Sequence, residues 1–255
     1  GDGGDELFGG YRHYQQPLLD QARLGLIPEG VLRLLAGVAA QLPAGVRGRN
    51  RLASLRQGLQ YAHIWGSPYF DVALRKRIFH PDVCRMLGDG LDAPECSLLA
   101  LAGKCADPTD SLMRIDFGSV LPDDFLVKVD RASMANSLEV RSPFLDYRLI
   151  EYAYSRIPSD WKVTATERRK VQHLMAKKYL PKGFALNRKQ GFSIPMDSWM
   201  RNSDIRERLQ GLPEEIIDRR ETDRLVQGLM KGRTNGARLF ALMMLKISLD
   251  NLKKV

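Results

Sequence analysis

The stretch LPDDFLVKVDRASMANSLEVRSPFLDYRLIEYAY, residues 121–154, predicts two helices separated by a short break. Pro122 suits the first turn of a helix, and the two aspartates after it lie where the helix dipole favours negative charge. Pro143 ends this helix, and a second helix is expected from about residue 144 to residue 157. The buried side of the first helix is expected to consist of Leu126, Val127, Val129 and Met134.

Helical periodicity extends over nearly the whole chain, and no alternating apolar and polar run reaches the length of a strand. The first helix is predicted to begin near Asp5, to be interrupted at Gly9 and Gly10, and to stop near Pro17. Residues 164–167 match a capping box and predict a helix start. The apolar stripe of that helix comprises Val171, Leu174, Met175 and Tyr179. Residues 237–249 are apolar almost all round, as expected of a core helix.

Prolines and glycines divide the chain into three regions. Residues 1–26 hold a glycine-rich loop and the first helix, residues 27–107 are interpreted as a helical insertion, and residues 108–255 are interpreted as a helical body. Within that body, PKGFALNRKQGFSIP at 181–195 loses helical periodicity and contains the adjacent Arg188 and Lys189. Such a basic loop is typical of phosphate handling, but equally of an exposed turn.

The composition is that of an ordinary soluble globular protein, with 44% hydrophobic and 27% charged residues over 255 positions. A net charge of +9 would suit an anionic partner, but the basic residues are spread along the chain, which favours solvated helix faces over a nucleic-acid surface. Three cysteines without a C-x-x-C pair argue against a disulfide framework and favour the cytoplasm. The longest apolar stretch is broken by Arg33 and Pro43, so no membrane span is predicted.

The first eleven residues, GDGGDELFGGY, contain five glycines around the start of a helix. Glycine lets the backbone approach a ligand closely, and the unpaired amides of a helix start attract anions. Asp2 and Asp5 lie three residues apart, and carboxylates beside a polyphosphate usually hold Mg²⁺ or accept a proton. The structural alternative is that Asp5 only caps its helix and Asp2 is solvated.

Three motifs in this order closely resemble those of one family, the synthetase domain of glutamine-dependent asparagine synthetases and their amidotransferase relatives. The motifs are GDGGDELFGGY at 1–11, LPDDFLVKVDRASMANSLEVRSPFLD at 121–146 and NRKQGFSIPMDSW at 187–199. The resemblance covers essentially all 255 residues. It implies a mostly α-helical fragment of an α/β adenine-nucleotide α-hydrolase-like (ATP-pyrophosphatase) domain, with most of the parallel sheet missing.

The resemblance implies a two-step reaction that uses ATP and Mg²⁺. ATP adenylates the side-chain carboxylate of aspartate and releases pyrophosphate, and ammonia from glutamine then attacks the acyl-adenylate to give asparagine and AMP. By similarity, Gly1 contacts the nucleotide, Asp2 accepts a proton near the acyl-adenylate, and Asp5 helps to hold the metal and pyrophosphate. Many members carry a longer glutamate where this chain has Asp2. Lys189, with Arg188 beside it, matches the lysine that stabilises phosphate charge.

The middle motif supplies further candidates for the substrate pocket. These candidates are Asp130, Arg131, Glu139 and Arg141. The alternative is that these charged residues pair with one another and only brace the structure.

Two features of the family are absent from this sequence. They are the N-terminal glutaminase domain, whose first residue is a cysteine, and a Ser-Gly-Gly-x-Asp-Ser loop that cradles pyrophosphate. We therefore expect a C-terminal portion of a longer or split enzyme, with exposed apolar helix faces and little activity alone. The expected partners are the missing segments and a second copy in a homodimer. Alternatives are an amidotransferase or cyclase acting on another carboxylate, or a non-catalytic helical partner chain.

Overall fold

The computed structural model describes residues 1–58, 62–66, 69–184 and 194–252, and those residues are mostly helical with no β-strand. This confirms the predicted helical character. The α-helices are α1 Gly4–Phe8, α2 Gln16–Leu24, α3 Glu29–Gln41, α4 Arg49–Ser54, α5 Ala62–Gly66, α6 Val72–Ile78, α7 Pro81–Leu87, α8 Ala93–Ala102, α9 Pro108–Gly118, α10 Val127–Met134, α11 Tyr147–Arg156, α12 Ser159–Lys162, α13 Lys170–Tyr179, α14 Met196–Asn202, α15 Ile205–Arg208, α16 Arg219–Met230 and α17 Gly236–Leu252.

The chain separates into two compact units. Unit 1 consists of Gly1–Ile27, Leu59–His63 and Glu95–Gln190, and unit 2 consists of Pro28–Gly58, Ile64–Pro94 and Gly191–Val255. The division into regions 1–26, 27–107 and 108–255 stays a prediction. No single described helix is long and apolar enough to cross a membrane. The successive segments Gly4–Leu24 and Glu29–Gln41, which are bent relative to each other, reach the required length and composition only when taken together.

Unit 1 is built around the short helix α1. Leu7 and Phe8 of α1 are 0% and 4% exposed, and they form a core with Ala153 of α11. Helix α1 contacts α9, α11 and α13, so that a helix of five residues is held on several sides. Because isolated short helices are unstable in water, this packing is what fixes α1 and the glycine loop before it.

Unit 2 has its core between α6, α14, α16 and α17. Leu74, Ile78, Leu225 and Leu239 are among its fully buried side chains. The predicted core helix at 237–249 corresponds to α17, but Ile247 and other apolar residues of that helix are 37–72% exposed. Helix α17 therefore packs into the core of unit 2 along one face, where Leu239 and Leu242 are buried, while apolar residues of its other face are exposed.

Two sequence-based helix boundaries need correction. Pro17 does not stop the first helix but occupies the first turn of α2, where a missing N–H costs nothing. The Thr164 hydroxyl accepts a hydrogen bond from the Glu167 N–H at 2.9 Å, as in a capping box. However, the Thr164 N–H also donates to the Glu167 carbonyl at 2.8 Å, which closes a tight turn, and α13 begins only at Lys170.

The predicted buried side of the helix over residues 121–134 is also wrong in part. A π-helical turn, Leu121–Leu126, precedes α10, and Val127 and Met134 are 37% and 53% exposed. A π turn adds a residue to the helical turn and so rotates the following side chains to another face. The second helix of this stretch is present, as a single 3₁₀ turn, Pro143–Leu145, followed by α11.

Candidate active site

The glycine-rich loop leads directly into α1. Gly3 has φ +82°, in the left-handed region, and a Cβ atom there would overlap the side chain of Leu145. A Cβ atom at Gly1 would lie 3.2 Å from Cδ2 of Phe144. The loop therefore requires glycine both for its backbone conformation and for its close packing on the middle motif.

The second glycine pair ends α1 and covers Asp5. Gly9 has φ +71°, and the Gly10 N–H donates to the carbonyl oxygen of Asp5 at 2.8 Å. A Cβ atom at Gly10 would overlap the Asp5 carboxylate. Oδ1 of Asp5 also lies 3.5 Å from Nε of Arg169. The Asp5 carboxylate is thus held between the Gly10 backbone and a guanidinium.

A cleft of about 590 Å³ in unit 1 joins the glycine loop to the middle motif. Its lining residues are Asp2, Leu126, Val129, Asp130, Ser133, Glu139, Val140, Arg141, Ser142, Pro143, Leu145 and Asp146. Four of the residues proposed from the sequence therefore lie around one cavity, namely Asp2, Asp130, Glu139 and Arg141. The volume of the cleft is within the range usual for small-molecule sites.

Two polar contacts orient side chains in this cleft. The Ser142 hydroxyl donates to Oδ2 of Asp2 at 3.1 Å. Nη2 of Arg141 lies 2.7 Å from Oε1 of Glu139, and these side chains are 82% and 68% exposed. An ion pair that is so exposed contributes little to stability. Both of its charges can therefore rearrange around a ligand at small cost.

Asp146 carries a fixed negative charge at the edge of the cleft. Its carboxylate accepts two hydrogen bonds from the Arg148 guanidinium, at 3.0 and 2.7 Å, and a third from the Arg148 N–H at 2.9 Å. The Arg148 side chain and backbone together lower the pKa of Asp146 to about 2. Asp146 also caps α11, so this charge is placed by a helix start.

A buried polar network follows the glycine loop in sequence. Glu6 is 1% exposed, and its Oε1 accepts a hydrogen bond of 2.8 Å from the Tyr11 hydroxyl. Burial raises the pKa of Glu6, and burial together with the Glu6 carboxylate raises the pKa of Tyr11. The Tyr11 ring stacks on His13, whose Nε2 lies 2.6 Å from Oδ2 of Asp116. The residues that follow the glycine loop are thus linked to one another and to α9 by partly buried hydrogen bonds.

Other sequence-predicted residues lie elsewhere. Asp5 and Arg131 do not line the cleft, and Arg131 is exposed on α10. Arg188 and Lys189 are outside the described residues, so their role stays a prediction.

A comparison with protein families matches residues 1–250 to the family described as "Asparagine synthase". The chain belongs to the asparagine synthase family. The glycine loop, the cleft and the middle motif all fall inside the matched region. The resemblance of the three sequence motifs to this family is therefore confirmed.

The chain is also similar to curated asparagine synthetases. Asparagine synthetase [glutamine-hydrolyzing] 1 of Bacillus subtilis (strain 168) is 30% identical over 205 residues, which are 79% of this chain and 31% of that protein. A putative asparagine synthetase [glutamine-hydrolyzing] of Mycobacterium tuberculosis (strain ATCC 25618 / H37Rv) is 31% identical over 210 residues, 81% of this chain and 31% of that protein. The chain thus spans about a third of the length of these relatives. No solved structure matched the chain.

Asp2 and Asp5 are carboxylates of the type that binds Mg²⁺ jointly with phosphate. Among the described residues, no group of three or more His, Cys, Asp or Glu side chains could hold a metal ion alone. Mg²⁺ commonly uses only one or two carboxylates, with substrate phosphates and water as its other ligands. Asp5, at the start of α1, and Asp2, at the cleft, are side chains of that kind.

The sequence motifs did not point to Ser142 and Asp146, which both line the cleft. A capping signal was available for Asp146, because an aspartate after a proline break often begins a helix. For Ser142, no local signal exists, since its bond to Asp2 joins residues 140 positions apart.

Proposed function

We propose that this chain supplies part of the active site of an ATP- and Mg²⁺-dependent ligase that converts aspartate to asparagine, with glutamine as the source of ammonia. The observation that carries the proposal is the cleft that gathers Asp2, Asp130, Glu139 and Arg141 beside the glycine loop, in a chain of the asparagine synthase family. The whole domain would have the α/β ATP-pyrophosphatase fold, of which these helices form one part.

The proposed reaction has two steps. A side-chain carboxylate oxygen of aspartate attacks the α-phosphorus of ATP, and pyrophosphate leaves. Ammonia then attacks the acyl carbon, the carbon–oxygen bond to AMP breaks, and asparagine is formed. Bound Mg²⁺ would neutralise the charge of the departing pyrophosphate.

The glycine loop would serve both steps. The Gly1 backbone would contact the nucleotide, and Asp5 would help to hold the metal and pyrophosphate, with Arg188 and Lys189 stabilising phosphate charge. Asp2 would take the proton released when the nitrogen nucleophile attacks. The Ser142 hydroxyl supports this role, because its hydrogen bond holds one oxygen of the Asp2 carboxylate at the cleft.

The charges of the cleft match an amino-acid substrate. Aspartate brings an α-carboxylate, an α-ammonium group and the side-chain carboxylate that reacts. Arg141 would bind the α-carboxylate, while Glu139 and Asp130 would bind the ammonium group. Arg131, expected in the same pocket from its motif, does not line the cleft and is given no part in this arrangement. The exposed pair of Arg141 and Glu139 supports this assignment, since its partners can separate and each take one substrate charge.

We further propose that the remaining parts of the site come from outside this chain. A phosphate-binding loop and a glutaminase domain would complete the enzyme, and this chain alone would have little synthetase activity. The complete protein would act with a second copy of itself as a homodimer. The three free cysteines, Cys84, Cys96 and Cys105, support a reducing cytoplasmic setting.

An oxygen-transfer experiment tests the proposed reaction directly. The chain is mixed with the N-terminal portion of Bacillus subtilis asparagine synthetase 1, ATP, Mg²⁺, ammonium and aspartate carrying ¹⁸O in its side-chain carboxylate. We expect AMP with one ¹⁸O atom from the mixture and none from the chain alone. Robust turnover by the chain alone would contradict its proposed dependence on other segments. Turnover with another carboxylate but not with aspartate would instead indicate a related amidotransferase or cyclase.

A further inference from the structure

A second cavity in this chain lies in unit 2, beside the C-terminal half of α16 and the loop that follows it. It is a groove of about 270 Å³. Its charged lining residues, which we call the basic groove, are Arg77, Arg224, Lys231, Arg233 and Glu221. Four cations against one carboxylate leave a net charge of +3 in a small concave space.

One buried carboxylate holds two of these arginines in place. Glu221 is 5% exposed, and its two carboxylate oxygens lie 3.3 Å from Nε of Arg77 and 3.0 Å from Nη1 of Arg224. The shared partner restricts both long side chains. A ligand that binds them therefore loses less conformational entropy than it would on free surface arginines.

Arg233 is positioned by its loop. Its N–H donates to the Gly228 carbonyl at 2.9 Å, and the next N–H along the chain donates to the Gly45 carbonyl at 3.1 Å. Cβ atoms at Gly228 and Gly45 would lie 3.3 Å and 3.0 Å from Arg233 side-chain atoms. Two glycines thus make room for the stem of this arginine. Within the described part of the chain, neither Arg233 nor Lys231 has a carboxylate within ion-pair distance.

We propose that the basic groove binds a diphosphate group, either as free pyrophosphate or as part of a nucleoside diphosphate. Guanidinium forks match phosphate oxygens in pairs, and Lys231 adds a point charge on the same side. A purely apolar or cationic ligand would leave three positive charges uncompensated. The basic groove shares no residue with the cleft in unit 1, so this inference is independent of the proposed synthetase reaction.

The test is isothermal titration calorimetry of the whole chain with inorganic pyrophosphate, and separately with ADP, in the absence of metal. We expect saturable 1:1 binding that Arg233→Gln and Lys231→Gln each weaken by about tenfold. Arg208→Gln is the matched control, because Arg208 is exposed, lies in unit 2 outside the groove, and carries the same charge. Tighter binding of ADP than of pyrophosphate would assign the site to a nucleotide, and equal binding would assign it to free diphosphate.

Two results would overturn the inference. One is an equal loss of affinity in Arg208→Gln and Arg233→Gln, which would mean that net charge alone attracts the anion. The other is binding that disappears in Lys189→Gln but survives in both groove variants. That second result would place the anion on the basic loop and leave the proposed synthetase function intact. Lys231→Gln keeps the test decisive if Arg233→Gln unfolds, because Lys231 has an exposed side chain.

Discussion

At the scale of single residues, Gly3 is constrained both by its backbone conformation and by the packing of the glycine-rich loop on Leu145. Its φ of +82° and the nearby Leu145 side chain each disfavour a larger residue. We predict that Gly3→Ala lowers the free energy of unfolding by about 1–3 kcal/mol more than Gly103→Ala does. Gly103 is the matched control, since it has φ +63° but nothing within 4 Å of its Cβ position.

Urea unfolding followed by circular dichroism measures both variants. The backbone cost of the left-handed conformation is common to the two, so the difference between them reports the overlap with Leu145. Equal destabilisation of the two variants would show that the loop can move away from the middle motif.

The buried carboxyl group of Glu6 makes the free energy of unfolding depend on pH, and the direction of that dependence follows from its raised pKa. Burial raises its pKa above the value in the unfolded chain, about 4.3. A carboxyl group whose pKa is raised by folding stabilises the folded state at pH values below its pKa in the unfolded chain. That stabilisation is lost as the pH rises through its pKa in the folded state. We predict that Glu6→Gln, which keeps an acceptor for Tyr11, becomes more stable relative to the parent as the pH increases.

Unfolding free energies measured in urea at pH 4 and pH 8 test this prediction. Glu151→Gln is the control, because Glu151 is exposed on α11 in the same unit. A stability difference between Glu6→Gln and the parent that stays constant with pH would contradict the raised pKa.

Four of the residues singled out from the sequence line one cleft, and they come from two compact motifs. Asp2 lies in the first motif, and Asp130, Glu139 and Arg141 lie in the second. Their catalytic and binding roles stay predictions. Ser142 could not be linked to Asp2 in advance, because a hydrogen bond between distant residues depends on how α1 and α11 pack, which no local pattern encodes.

At the scale of secondary-structure elements, a buried ion pair joins α12 to α9. The Lys162 side chain is 0% exposed, and its Nζ lies 2.9 Å from Oδ1 of Asp110. Nζ also lies 4.9 Å from the centre of the Tyr154 ring. We predict that Lys162→Met destabilises unit 1 by about 3–5 kcal/mol, since removal of one partner leaves the other charge poorly compensated.

The control for this pair is Lys177→Met on α13, an exposed lysine in the same unit. Thermal and urea unfolding are expected to leave that variant within about 0.5 kcal/mol of the parent. If Lys162→Met proved as stable as Lys177→Met, Arg114, which lies 3.0 Å from Asp110, would be sufficient to compensate the Asp110 charge.

The positions of helices were easier to predict than their faces. Residues 121–156 contain the two expected helical stretches, but the π turn before α10 changes which side chains point inward. The hydrogen-bond pattern of a turn depends on tertiary packing, so an apolar pattern with the ideal helical period misplaces Val127 and Met134. The turn at residues 164–167 shows the same limit, since one side-chain hydrogen bond is compatible with either a helix start or a tight turn.

At the scale of the whole molecule, apolar side chains remain exposed on several helices of unit 1. Tyr152 of α11 is 57% exposed, and Met175 and Tyr179 of α13 are 54% and 71% exposed. Apolar side chains that together form a large contiguous exposed patch usually mark an interaction surface. This agrees with the proposal that a parallel sheet completes the domain, and the expected tendency of the chain to associate stays a prediction. Composition and periodicity could not define these faces, because they describe a helix without its neighbours.

We propose that the cleft beside Asp2 is the site of amide formation. The test is to mix the chain with the N-terminal portion of the Bacillus subtilis relative and to measure AMP release that depends on aspartate. The variants Asp2→Asn and Asp89→Asn are compared in this assay. Asp89 is exposed in unit 2, so both variants remove one carboxylate. We predict a loss of about 100-fold or more for Asp2→Asn and no change for Asp89→Asn. Undiminished AMP release by Asp2→Asn in the assembled enzyme would contradict the claim.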